Sequence, residues 1–180
     1  MPFEVWQPGM ILTEERIASI SPTWQDWTPV WTTSTGSATP SLGNAVLTCR
    51  YAVAATTCWG KFDVVFGSTT NFGASPTTGD NWRFSLPLAA SIAHQEIGFA
   101  EINKSTAKRH VCRMRMTTTT DFELEIDTGA PDGLDTTADG ANGGGKGLVD
   151  ALSPWSNGGS GTTWASGYSI RGTFAYELAN

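Results

Sequence analysis

Apolar and charged side chains alternate along residues 108–127, and this is the clearest pattern in the sequence. Successive side chains of a β-strand point to opposite faces of the sheet, so the alternation predicts two strands joined by a turn at 117–120. The mainly apolar rows of these strands are His110, Cys112, Met114 and Met116, then Phe122, Leu124 and Ile126. If these rows face one core, the charged rows lie opposite each other, and we expect the ion pairs Arg113–Glu125 and Arg115–Glu123.

Short β-rich runs separated by Gly, Pro, Ser and Thr continue over most of residues 23–180. This spacing is typical of an all-β antiparallel domain, and we predict a β-sandwich or jelly-roll-like fold of two packed sheets. The predicted strands are Asp26–Trp31, Ala45–Val53, Thr57–Phe66, Trp82–Leu86, Gly98–Asn103, Lys108–Thr117, Phe122–Asp127 and Gly167–Leu178. A chain of 180 residues is long enough for one sizeable core and short for two.

Residues 1–22 form a separate N-terminal segment in the sequence. Thr13 can cap a short helix over residues 13–20. A helix of about eight residues is not stable alone, so we expect it to dock on the β domain or on a partner. The segment is more apolar than a free tail, and we predict that it is an anchor whose partner-binding residues are Trp6, Ile11, Leu12, Ile17 and Ile20.

Residues 128–147 are rich in glycine and predict a long flexible loop that fills no core. Within this loop, residues 140–147 match the phosphate-binding pattern G-x-x-x-x-G-K up to its last position. Gly147 stands where that motif needs a Ser or Thr hydroxyl for magnesium, and the following apolar run ends at Pro154. We therefore predict a flexible connection and no nucleotide site.

The formal charge of the chain is -6, with 11 Lys and Arg against 17 Asp and Glu. Because clustered basic residues drive affinity for nucleic acids, we expect no nucleic-acid partner. No run approaches the roughly 20 apolar residues of a membrane-spanning helix, and the first residues lack a basic and then apolar signal segment. We therefore expect no membrane insertion, and synthesis and assembly in a cytoplasm.

The sequence contains no recognisable catalytic motif. His94 and His110 lie outside any nucleophile signature, and the hairpin carboxylates lie roughly 7 Å apart along their strand, too far to share one calcium ion without loop ligands. The three cysteines, Cys49, Cys58 and Cys112, lack Cys-x-x-Cys spacing and are expected in the core, with a Cys49–Cys58 disulfide as the alternative. We predict no enzyme activity, cofactor or metal site, although folding can assemble a glycosidase-type carboxylate pair.

Eight tryptophans are a high number for 180 residues. Large rings in a thin sandwich are mainly core and interface residues, but an exposed indole face can also stack on a sugar ring. Three tryptophans beside predicted strands or turns are our candidates for glycan stacking, namely Trp82, Trp155 and Trp164.

Several short strand-and-turn segments occur in a recognisable order. They are Trp27–Trp31, Pro40–Asn44, Leu47–Tyr51, Phe66–Thr70, Trp82–Pro87, Ser153–Trp155, Trp164–Gly167 and Ile170–Glu177. In this order they resemble a β domain of tail and accessory virion proteins of phages that infect actinobacteria. The opening residues 6–13 are similar to the segments that attach phage fibre proteins to the particle.

The resemblance implies a displayed structural or host-recognition protein, usually trimeric, without catalytic residues. We therefore expect a non-enzymatic tail fibre or minor tail protein on the exterior of a tailed phage virion, assembled in the host cytoplasm. Its expected partners are other copies in a homotrimer, other virion proteins and a host cell-surface glycan. A capsid decoration protein is the first alternative, and a host-glycan depolymerase is the second.

Overall fold

In the computed structural model the described part of the chain contains ten β-strands and pairs them antiparallel throughout. The structure describes residues 8–11, 13–14, 21–36, 38–73, 80–94, 96–105, 108–126, 149, 151 and 164–179. The strands are β1 (Gln25–Asp26), β2 (Trp31–Thr33), β3 (Val46–Leu47), β4 (Arg50–Ala54), β5 (Thr57–Val65), β6 (Trp82–Ser85), β7 (Gly98–Ser105), β8 (Lys108–Met116), β9 (Asp121–Ile126) and β10 (Ser169–Glu177). The predicted all-β antiparallel class is confirmed. The Gly-rich loop 128–147 and most of the predicted helix 13–20 lie outside the described residues.

The strands form one continuous sheet in the order β1-β4-β5-β10-β7-β8-β9-β6-β2, with β3 also pairing with β5. The first and last strands of this order are joined in the chain by residues 27–30 alone. Such a connection spans at most about 17 Å, so the sheet curls until its two ends approach each other. The Trp27 ring lies 6.1 Å from that of Phe62 on β5 and 5.8 Å from that of Phe174 on β10. The inner sides of the curled sheet therefore pack on each other as the layers of a sandwich do.

Two predicted strands are divided in the structure. The predicted strand 26–31 becomes β1 and β2, because the chain crosses between the ends of the sheet through Pro29, which has no backbone N–H for a ladder. The predicted strand 45–53 becomes β3 and β4, which both pair with β5. At this break the Cys49 carbonyl accepts a hydrogen bond from the Trp27 N–H at 3.0 Å. The Cys49 carbonyl therefore binds the segment 27–30, whereas in an unbroken strand it would pair with a neighbouring strand of the sheet.

The β8–β9 hairpin has the predicted register. Arg113 lies opposite Glu125, and Arg115 lies opposite Glu123. The apolar rows face inward, and Met114 and Leu124, which lie opposite each other, are fully buried. The alternation of the sequence therefore determines both the pairing and the inner face of this part of the sheet.

Aromatic rings fill much of the interior. The ring of Phe62 makes edge contacts with Phe84 and Phe122, at centroid distances of 4.9 and 5.3 Å. On β5, Gly60 provides the space for the ring of Phe174, since a Cβ atom at this position would overlap the ring. Packing of this kind fills the inner face of the sheet mainly with apolar side chains in the described part of the chain.

The buried carboxylate of Asp80 accepts hydrogen bonds from the loop that follows β2. Asp80 accepts hydrogen bonds from the backbone N–H and the hydroxyl of Thr35, at 2.9 and 2.7 Å, and from the Ala38 N–H at 2.9 Å. Burial alone raises the pKa of Asp80, but these hydrogen bonds to the ionised form outweigh it and hold the pKa below its ordinary value of 3.8. Asp80 therefore contributes stability in its charged form.

Replacing Asp80 by asparagine should destabilise the protein by about 1–2 kcal/mol near neutral pH, because an amide NH₂ would face the N–H donors that the carboxylate now accepts. Since folding lowers the pKa of Asp80, its contribution is present above the ordinary pKa and is lost as the pH falls through the lower pKa of the folded state. The difference in unfolding free energy between wild type and Asp80→Asn should therefore shrink below about pH 4. Urea denaturation across this range measures it, and a difference that is independent of pH would contradict this account.

Candidate binding surface

The structure corrects the sequence-based candidates for glycan stacking. Trp82 is 0% exposed and Trp164 is 4% exposed. Their ring centroids lie 4.7 Å apart, and the ring of Phe72 stacks against both of them, at 6.2 and 6.3 Å. Other aromatic rings thus cover both indoles, so neither is available to a sugar. Trp155 lies outside the described residues.

Little of the predicted anchor falls within the described residues. Ile11 is 76% exposed. The other predicted anchor residues, Trp6, Leu12, Ile17 and Ile20, lie outside the described residues. The anchor function of residues 1–22 stays a prediction.

The three cysteines are free and buried, as expected of core residues. Burial raises the pKa of the Cys49 thiol to about 11 and that of the Cys112 thiol to about 12, and it also raises the pKa of Cys58. A disulfide between Cys49 and Cys58 is absent. Because the thiolate is the reactive form, these residues have the environment of structural thiols.

At about pH 8 the native protein should react with Ellman's reagent far more slowly than a free thiol does, because its thiols are covered and protonated. In guanidinium chloride the same sample should release three equivalents of thiol, one for each cysteine of the sequence. Absorbance at the product wavelength measures both reactions. If one equivalent of thiol reacted rapidly in the native protein, one of the cysteines would be accessible and reactive.

The carboxylates of the β8–β9 hairpin bind arginines. Glu123 is 2% exposed, and its Oε1 lies 2.8 Å from Nε of Arg83 on β6. Glu125 accepts two hydrogen bonds from the Arg113 guanidinium, at 2.9 and 3.2 Å, and lies 3.3 Å from Nη1 of Arg115. Among the described residues no group of three or more His, Cys, Asp or Glu is placed to hold a metal ion. The charged rows thus cross-link three strands on the outer face.

The outer face of the sheet also carries exposed apolar side chains. Trp59 on β5 is 43% exposed, Phe99 on β7 is 57% exposed and Val111 on β8 is 65% exposed. Trp24, which precedes β1, is 47% exposed. Charged residues of the same strands surround them, so the face alternates between apolar and charged groups. Exposed apolar groups of this kind mark surfaces that bind partners.

Trp24 and Trp59 lie on one row across the strands. Trp59 lies opposite Ala52 on β4 and Ala175 on β10. Asp26 lies opposite Arg50 on the outer face, and the two side chains form an ion pair at 3.0 Å. Trp24 is two positions before Asp26, so the alternation of side chains places it on the same face, beside Ala52. Neither Trp24 nor Trp59 belongs to the three tryptophans predicted for glycan stacking.

Comparisons with protein-family models, with curated proteins and with solved structures give no match to this chain. Among the described residues, no helix is long and apolar enough to cross a membrane.

Proposed function

We propose that this chain is a non-enzymatic structural protein displayed on the exterior of a tailed-phage virion, as a tail fibre or minor tail protein that takes part in host recognition. The observation that carries the proposal is the contrast between the aromatic interior and the outer face. The interior is packed with rings, whereas Trp59, Phe99 and Val111 are exposed on the outer face. A domain of this construction acts by surface contact. The sequence resemblance supplies the kind of particle.

The buried ionisable groups support a structural function. Asp80 is held by hydrogen bonds from a loop, and Glu123 is held by arginines on neighbouring strands. Catalytic acids and bases need a carboxyl that stays available for proton transfer and lies beside a substrate cavity. Both buried carboxylates instead bind donors that belong to the fold.

The protein is expected to form a homotrimer, with residues 1–22 attached to another virion protein. A trimer would cover part of the exposed apolar surface around its axis. Light scattering on the full chain at micromolar concentration measures the mass. A mass of three chains supports this part of the proposal, and a monomeric mass contradicts it.

The number of copies in purified virions tests the proposed location. A tail fibre or minor tail protein should be present in few copies, and antibodies against the β domain should label the tail in electron micrographs. Quantitative mass spectrometry against the major capsid protein of the same particles provides the count. Copies on the order of hundreds with label on the head would favour a decoration protein, and absence from particles would overturn the proposal. Incubation with host glycan should leave its viscosity unchanged, whereas a depolymerase would lower it.

A further inference from the structure

We infer that the outer-face row containing Trp24 and Trp59 binds an uncharged glycan chain. We call this row the tryptophan row, and it consists of Trp24, Ala52, Trp59 and Ala175. This inference adds a ligand class to the proposed role in host recognition. It rests on that proposed function only for the source of the glycan, which would be the host cell surface. Spacing, exposure and charge each support the assignment.

The spacing of the tryptophan row fits a chain of sugars. Trp59 lies opposite Ala52 on one side of β4. The register of β1 with β4, extended by one position beyond Gln25, places Trp24 on the other side of Ala52. Neighbouring strands are about 4.8 Å apart, so the two tryptophan positions are separated by about 10 Å across the sheet. One hexose unit of an extended glycan has about the length of one strand spacing. A glycan that runs across the strands would therefore place alternate sugars over the two indoles.

The exposure along the row indicates a flat platform. Ala52 is only 2% exposed although it lies on the outer face, whereas Trp24 and Trp59 are about half exposed. This combination is expected when large rings lie over a small methyl group with one face on the protein and the other face in solvent. The apolar C–H face of a pyranose stacks on such an indole face. Rings that stood upright would leave the alanine open to solvent.

The charges beside the tryptophan row favour an uncharged ligand. The charged residues on the adjacent positions are Asp26, Arg50, Lys61 and Glu177, two acids and two bases with a formal sum of zero. The chain as a whole carries -6. These side chains provide donors and acceptors for sugar hydroxyls, and their balance gives no attraction to a polyanion or a polycation.

Affinity electrophoresis of the full chain tests the assignment, in native gels that contain soluble neutral glucan, mannan or galactan. At least one of these polysaccharides should retard the wild type. Trp59→Ala and Trp24→Ala should each weaken binding by about tenfold or more, as removal of a central aromatic contact does. Trp59→Phe should retain much of the affinity, because it keeps a flat ring. Val111→Ala is the matched control, an exposed apolar residue on the same face outside the row, and should bind as the wild type does.

Three results would overturn the assignment. The first is absence of retardation of the wild type in all three gels, and the second is unchanged binding by both alanine variants. The third is loss of self-association in Trp59→Ala, which would make the row an interface between copies of this chain. Incorporation of Trp59→Ala into virions is measured in parallel. Loss of glycan binding by Trp59→Ala with normal incorporation separates this site from the proposed structural function, which is tested by the presence and location of the wild-type chain in particles.

Discussion

Trp82→Ala should lower the free energy of unfolding by about 3–5 kcal/mol, one of the two largest effects expected in this protein. Trp82 is fully buried on β6, and its ring centroid lies 4.6 Å from that of Trp31 and 4.7 Å from that of Trp164. Removal of the indole leaves a cavity lined by rings from β2 and from the segment before β10. Urea denaturation at a fixed protein concentration measures the loss, since association contributes to apparent stability.

Trp59→Ala is the matched control, because it removes the same side chain from a position that is 43% exposed. It should cost less than about 1 kcal/mol, as substitutions on exposed surface usually do. Trp82→Phe should lie between the two alanine variants. Phenylalanine leaves a smaller cavity and removes the Trp82 indole N–H, which has no hydrogen-bond partner within the described part of the chain. Equal losses for Trp82→Ala and Trp59→Ala would contradict the described core.

Glu123→Ala should lower the free energy of unfolding by about 3 kcal/mol, because it leaves two arginines without their buried partner. Arg83 lies 2.8 Å from one oxygen of Glu123, and Arg115 lies 3.9 Å from the other. Both guanidinium groups are partly exposed, so water can solvate them in the variant. The loss of unfolding free energy is therefore expected at the lower end of the range of about 3–5 kcal/mol for broken buried ion pairs. The loss should persist in 1 M salt, since a buried carboxylate is screened little.

Asp26→Asn is the control for Glu123→Ala. Asp26 also pairs with an arginine, at 3.0 Å, but its side chain is 90% exposed. Its removal should change the free energy of unfolding by less than about 1 kcal/mol. If the two variants had similar effects, the burial of Glu123 would not determine the strength of its ion pairs.

The hairpin and the core strands could be predicted because their alternation is strict. In β8 and β9 the inward residues are mainly apolar and the outward residues are mostly charged, and the register Arg113–Glu125 follows from the two rows. The crossing at residues 27–30 could not be predicted, because Trp27 and Trp31 at even spacing are also consistent with one strand. The break becomes evident only from the fold, because β1 and β2 lie at opposite ends of the strand order and residues 27–30 connect them.

The exposed tryptophans could not be told from the buried ones by sequence position near a strand or turn. The number of tryptophans does not separate core rings from surface rings, and the prediction of Trp82 and Trp164 as exposed stacking residues is wrong because the fold buries both. The alternation of β5 contains the better signal. Trp59 shares its row with Thr57, Lys61 and Asp63, whereas Cys58 belongs to the row that includes Phe62 and Val64. A tryptophan within a polar row is expected to point outward.

The position of β10 also affects how the chain folds during synthesis. Its residues 169–177 are translated after all the other strands, yet they pair with both β5 and β7 in the middle of the sheet. Until they leave the ribosome, a nascent chain has two incomplete sheets, β1-β4-β5 and β7-β8-β9-β6-β2, each with an unpaired edge. The sheet can therefore close only after β10 has been synthesised, and until then the open edges of β5 and β7 are the places where a nascent chain is most exposed to mispairing with other nascent chains.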